Sequence, residues 1–239
     1  MREALLALLQ VQEHDTVLDQ LRHRRDHLPA RADLASALAS AKSVMPEHER
    51  LVAERSAILA AERRIDDDVQ LQRAKAAEVE SKLYSGSVTA PKELQALQAD
   101  LDALRAHIGA LEDDELEQMA ERERVDSELA PVVERIASLR ADVERSQAAI
   151  VEGEHEIDAE LAEVEGRRVE VARGVPPELL ADYDTRRRAN RGQGAARLVG
   201  DTCQACRLSI PATEVDQIVH DTTGAVWYCD NCGAILVAS

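Results

Sequence analysis

Apolar residues in the second half of this chain recur in alternating steps of three and four. The stripe runs Leu94, Leu97, Leu101, Leu104, Ile108, Leu111 and continues in frame through Val125, Leu129, Val132, Ile136, Leu139, Val143, Ile150, Ile157 and Val164. Glu115, Gln118, Arg122, Ser146, Gly153 and Glu160 fall on it and weaken it locally. Such spacing holds one narrow face against a partner helix, so roughly ten heptads in one frame predict a coiled-coil seam. The first half repeats the stripe more loosely, through Leu51, Ile58, Ile65, Val69, Ala76, Val79 and Leu83. Upstream, Leu5, Leu9, Val11, Leu18, Leu21, Leu28, Leu34 and Leu38 keep a helical period with less regularity.

The two helical blocks flank one break, Tyr84-Ser85-Gly86-Ser87-Val88-Thr89-Ala90-Pro91. Gly86 tolerates positive φ, and Pro91 suits a first helical turn, where its missing N–H costs nothing. The blocks on either side are nearly equal in length, as a hairpin needs if each helix is to cover the other's stripe. Residues 1–172 therefore read as a long antiparallel coiled-coil hairpin with its tip at 84–91; the competing arrangement is an intermolecular coiled coil. About 80 residues at 1.5 Å each extend on the order of 120 Å, a shape without a catalytic pocket. Pro29 and Pro46 are expected to break or kink the first arm, and Pro131 to kink the second.

Composition narrows the class. Phe is absent and 31% of residues are charged, the profile of long amphipathic helices rather than of a compact core. No apolar run is long enough to cross a bilayer, and the N-terminus is too short for a signal peptide, so a cytoplasmic, non-membrane protein is expected. The formal net charge is −17, and most of it falls on residues 1–172. That acidity repels nucleic acid over most of the chain and favours a monomer over a homodimer, although Leu5, Leu6, Leu8 and Leu9 make the N-terminus sticky.

The four cysteines form two pairs, Cys203-Gln-Ala-Cys206 and Cys229-Asp-Asn-Cys232. Two residues between thiols let one tight turn aim both sulfurs at a single ion, and two such turns complete a tetrahedron. Gly233 follows the second pair, where positive φ is often needed; Arg207 holds the corresponding place in the first. Ala225 to Tyr228 and Ala234 to Val237 are strand-like. Residues 200–239 thus read as a zinc ribbon with one structural Zn2+ held by Cys203, Cys206, Cys229 and Cys232. The competing use of the cysteines is thiol redox chemistry. His220 and the other histidines are read as solvated surface.

Residues 173–199 form a connector. Pro176 and Pro177 start a short helix with Leu179, Leu180 and Tyr183 on its apolar side, and Gly192-Gln193-Gly194 reads as linker. Arg186, Arg187, Arg188 and Arg191, with Arg197, make the one basic patch, a candidate for gripping phosphates or, alternatively, a solvated helix face paired with acidic neighbours.

Three segments carry a resemblance: Leu83-Tyr84-Ser85-Gly86 through Pro91-Lys92-Glu93-Leu94, Val175-Pro176-Pro177-Glu178-Leu179-Leu180-Ala181-Asp182-Tyr183, and the ribbon from Cys203 to Leu236. Together they resemble the bacterial four-cysteine zinc-ribbon family with a coiled-coil hairpin, whose chlamydial and Helicobacter members are adaptor-like. The resemblance implies a hooked hairpin, a C-terminal ribbon, no catalytic residues, and protein partners of the transcription or secretion machinery, with a link to messenger RNA. Ala234 stands where a basic residue is expected in that pattern. The candidate partner contacts are Tyr84, Lys92 and Glu93 at the tip. The expectation is a non-enzymatic adaptor or scaffold without a small-molecule substrate; the alternative is a nucleic-acid-binding protein acting through the arginine patch.

Overall fold

A computed structural model describes residues 1–221 and 223–238. Four helices precede a small sheet: α1 (Arg2–Asp26), α2 (Pro29–Tyr84), α3 (Pro91–Ala172) and α4 (Pro177–Ala189). The C-terminal part contains β1 (Ala195–Val199), β2 (Thr202–Cys203), α5 (Ala212–His220), β3 (Trp227–Tyr228) and β4 (Ile235–Ala238). The chain is mostly helical, with a long helical hairpin and a curled C-terminal sheet, as the apolar periodicity predicts. It divides into two compact units, Asp33–Arg145 and Met1–Ala32 with Ser146–Ser239.

Pro29 opens α2 after the break at residues 27–28, as expected. Pro46 and Pro131 do not break their helices, since α2 and α3 run through them without interruption. Both prolines are exposed, as are Lys42 and Ser127, whose carbonyls lose their helical donors. Water satisfies a carbonyl freed on the solvent side, which makes a surface proline tolerable within a long packed helix.

In the unit Asp33–Arg145, α2 and α3 pack antiparallel along the expected seam. Val44, Leu51 and Ile58 are buried with Val125 and Val132, and Leu129, Ile136 and Leu139 lie partly buried against them. The polar interruption at Arg122 is answered across the seam. Its guanidinium lies 2.7 Å from a Glu62 carboxylate whose side chain is only 13% exposed. One flank of the seam carries Arg124 bridged to Glu54, Glu121 and Glu128. The other carries Arg73–Glu112 and Arg105–Glu80 pairs.

In the second unit, α1 packs against the C-terminal part of α3, and ion pairs such as Arg25–Asp158 and Arg24–Glu160 line the exposed edge. Leu8, Leu9 and Val11 of α1 are buried against Val175, Leu179, Tyr183, Ala195, Ile235 and Val237. The leucine-rich N-terminus therefore covers the sheet and α4. Gly153, which interrupts the apolar stripe, lies where a Cβ would meet the Leu28 side chain at 3.0 Å. The interruption makes room for Leu28.

The sheet has the order β2-β1-β4-β3. β1 runs parallel to β4, in register from Ala195 opposite Ile235 to Leu198 opposite Ala238. β2 and β3 add antiparallel edges. The sheet thus begins at residue 195, inside the stretch that reads as connector, and α5 intervenes between the two cysteine pairs.

Candidate metal centre

The two cysteine turns are built alike. In the first, the N–H of Arg207 donates to the carbonyl of Cys203 at 2.8 Å, and the N–H of Cys203 donates to Leu208 at 3.1 Å. In the second, Gly233 donates to Cys229 at 2.7 Å, and Cys229 donates to Ala234 at 2.9 Å. Both turns need a left-handed residue after the second cysteine, and both have one: Gly233 at φ 73° and Arg207 at φ 62°. The spacing made that need visible at Gly233; Arg207 meets it with a side chain, at a steric cost of about 1–2 kcal/mol.

Parallel pairing of β1 with β4 sets the turns side by side. Cys203 Sγ lies 3.9 Å from Cys232 Sγ, and Cys206 Sγ lies 3.8 Å from Cys229 Sγ. All four sulfurs fall within 4.8 Å of one another. Four sulfurs at about 2.3 Å from a central ion form a tetrahedron with edges of about 3.8 Å. A disulfide requires about 2.05 Å, so these are thiols arranged about a centre rather than bonded pairs. The quartet can hold a metal ion.

Cys203 and Cys229 are buried among Ala196, Leu198, Ile210, Ile218, Ala234 and Leu236. Burial raises the Cys203 thiol above its ordinary value and pushes Cys232 up to about 12. Cys206 is lowered, chiefly by the N–H of Leu208. A dication held there would supply the charge that buried thiolates need, and would couple metal binding to folding.

The arginines of α4 do not form one exposed patch. Arg186 donates to the carbonyl of Gly233 at 2.8 Å, pairs with Asp182 at 3.0 Å, and lies 3.7 Å over the Tyr228 ring. It clamps the second cysteine turn to α4. Arg187 pairs with Asp19 at 2.5 Å and approaches Asp15 at 3.7 Å. Arg188 and Arg191 are exposed. His220 is exposed beside Asp216, 3.1 Å away.

Sequence reasoning missed the polar knot beneath the sheet. Asp15 and Gln12 of α1 are 4% and 6% exposed. Asp15 accepts from Arg168 Nε at 2.7 Å and from the Tyr183 hydroxyl at 2.7 Å. Gln12 Oε1 accepts the N–H groups of Gly194 and Ala195 at 2.7 and 3.2 Å, and its Nε2 donates to Gly192 at 2.9 Å. Gly194 is therefore no loose linker: a Cβ there would lie 2.6 Å from the Tyr183 ring. On α1, Gln12 and Asp15 look like ordinary surface positions, and the one hint was their place among buried Leu8, Leu9, Val11 and Leu18.

At the hairpin turn, Tyr84 ends α2 with 73% of its surface exposed. Gly86 has φ 72°, and Ser85 and Ser87 hydroxyls pair at 2.6 Å. Lys92 and Glu93 are exposed in the first turn of α3. The turn brings the three candidate contact residues to one end of the hairpin.

Comparison with known proteins agrees with this architecture. An uncharacterized Mycobacterium tuberculosis protein, Rv2229c, is 33% identical over 241 residues, covering 97% of this chain and 94% of that protein. A Mycobacterium smegmatis structure superimposes with a TM-score of 0.84 at 24% identity, covering 100% of this chain and 99% of that one. CT398 from Chlamydia trachomatis superimposes with a TM-score of 0.65 at 17% identity, covering 99% and 98%. The HP0958 protein from Helicobacter pylori gives 0.52 at 17%, covering 99% and 97%. At these identities the three structures establish a shared fold alone. Residues 11–192 match the family model of the CT398-like coiled coil hairpin domain, and the chain belongs to that family.

Proposed function

We propose that this protein is a non-catalytic adaptor of the cytoplasm, in which one structural Zn2+ holds the ribbon and the hairpin turn recognises a protein partner. Four thiolates suit zinc, and they leave no coordination position open for a substrate, so the metal's work is structural. The observation that carries the partner reading is Tyr84. It is one of the chain's few aromatics and is 73% exposed at the hairpin turn, where packing gives it no role. Lys82 and Lys92 bracket it without an intervening acid, and Glu80 and Glu93 lie just outside them. Tyrosine beside cationic side chains suits an acidic protein segment that also offers an apolar contact.

The nucleic-acid alternative is weakened because Arg186 and Arg187 already make internal contacts. It survives through the exposed Arg188, Arg191 and Arg197. The two are separated by photo-crosslinking in native bacterial lysate, with the crosslinker at position 84 or at position 188, before and after nuclease. A dominant nuclease-resistant protein captured from position 84 is expected. Nuclease-sensitive capture from position 188, with nothing from position 84, overturns the adaptor reading.

A further inference from the structure

The two cysteine turns match in their own hydrogen bonds and differ in what holds them from outside. Tyr228 precedes Cys229 and Gly233 follows Cys232, so these two residues flank the second turn. Both are held by α4. Arg186 donates from Nη1 to the carbonyl of Gly233 at 2.8 Å, and its guanidinium lies 3.7 Å over the Tyr228 ring. Arg186 Nε donates to Asp182 at 3.0 Å, and Asp182 Oδ2 also accepts the Tyr228 hydroxyl at 3.1 Å. Asp182 and Arg186 stand four residues apart, on one face of α4. The helix has its own anchorage: Leu179 and Tyr183 are buried, and Arg187 pairs with Asp19 of α1 at 2.5 Å. The second turn is thus tied on both sides to a helix fixed independently of it.

The first turn lacks such a tie. Among the described residues, no helix side chain bonds to it. Arg207 Nη1 donates within the turn, to Gln204 at 2.6 Å, and the Gln204 N–H donates to the Arg197 carbonyl of β1 at 3.1 Å. Gln204 and Ala205 face Thr16 and Gln20 of α1 across a groove of about 460 Å3. The sheet does not distinguish the turns, because β2 and β3 are both two-residue strands at its edges. The difference lies in α4.

We infer that Asp182 and Arg186 are positioning residues of the metal centre, and that the turn of Cys203 and Cys206 is the side that opens when an ion enters or leaves. The clamp works on backbone: through the Gly233 carbonyl and the Tyr228 ring it fixes the segment that aims Cys229 and Cys232. Two thiols already in place leave only the other pair to be ordered at each binding, which lowers the entropic cost of closing the site. Outer partners of this kind change metal retention by about 10–100-fold. The inference rests on the reading that the four thiols hold zinc, and it is independent of the role given to Tyr84.

Transfer of zinc from the loaded full chain to excess pyridylazoresorcinol tests it. Arg186→Ala is expected to release zinc at least about tenfold faster than the wild-type chain. Arg186→Lys keeps a donor for the Gly233 carbonyl and should recover part of that retention. Tyr183→Phe weakens the anchorage of the same helix without touching the turn, and should release at the wild-type rate. A second measurement needs no substitution. Iodoacetamide present during release traps the thiols that come free first, and trypsin cleavage after Arg207 puts the two pairs on separate peptides. In the wild-type chain Cys203 and Cys206 should be labelled before Cys229 and Cys232, and in Arg186→Ala the order should be lost. Release from Arg186→Ala no faster than from Tyr183→Phe overturns the clamp and leaves the zinc reading standing. So does wild-type labelling in which the second pair is modified first or together with the first. A chain that takes up no zinc overturns both.

Discussion

The hydroxyl of Tyr183 donates a 2.7 Å hydrogen bond to Oδ2 of Asp15, across 168 residues of sequence. Tyr183 is fully buried, and the same carboxylate takes the guanidinium of Arg168. Three helices, α1, α3 and α4, thus meet at one carboxylate beneath the sheet that carries the cysteines. Removing the hydroxyl leaves a buried acceptor short of a donor, so Tyr183→Phe should cost about 1.5–3 kcal/mol. Chemical denaturation followed through Trp227 measures it.

The same contact gives a pH dependence. Burial, then the bond to Asp15, raises the Tyr183 phenol well above its ordinary value. A raised pKa in the folded state means that its contribution is complete below the unfolded value of about 10 and declines as pH rises beyond it. Stability should therefore fall above pH of about 10, with a shallower fall in Tyr183→Phe. Equal slopes in the two proteins would show that another group governs alkaline unfolding.

Gly194 offers a steric test. A Cβ there lies 2.6 Å from the Tyr183 ring and 2.7 Å from its carbonyl, so Gly194→Ala should destabilise by about 1–3 kcal/mol or more. Gly109, in the middle of α3, has nothing within 4 Å of the same added atom. Gly109→Ala should instead stabilise by about 0.5–1 kcal/mol, the ordinary helix preference. Thermal melts of the pair check both signs.

Metal removal should act locally. Trp227 packs against the cluster that contains Cys203 and Cys229, whereas the helical hairpin is held by its own seam. A strong chelator is expected to shift Trp227 emission to the red and to expose four reactive thiols, with most far-UV helical signal retained. An unchanged Trp227 spectrum after complete metal removal would show that the sheet holds without the ion.

The seam pair Glu62–Arg122 predicts non-additivity. Arg122→Leu leaves a nearly buried carboxylate without its partner and should cost about 2–3 kcal/mol, less than a fully buried pair. Replacing both residues with Leu should recover most or all of that loss. A double-mutant cycle by denaturant unfolding reads the coupling.

The hairpin was legible in the sequence because a seam repeated over many heptads carries the same signal many times, and the turn at Gly86 and Pro91 interrupts it once. The cysteine turns were legible because two residues between thiols is a local geometric requirement. β1 was not, because Ala-Ala-Arg-Leu-Val is short and its parallel partner β4 lies about forty residues away. Gln12 and Asp15 escaped for a related reason: their burial is set by α4 and the sheet, which no period along α1 can reveal. Arg186 looked like a phosphate ligand, since charge alone does not show that a carbonyl, a carboxylate and an aromatic ring already surround it.

The most direct test of the adaptor account is quantitative co-purification from native, nuclease-treated lysate, comparing the wild-type chain with the triple variant Lys82→Ala, Tyr84→Ala, Lys92→Ala. Zinc content and melting temperature should be unchanged, since these side chains are exposed at the turn, while capture of the principal partner should fall at least about tenfold. Equal capture by a variant that is folded and zinc-loaded would contradict the claim that the hairpin turn is where this protein binds.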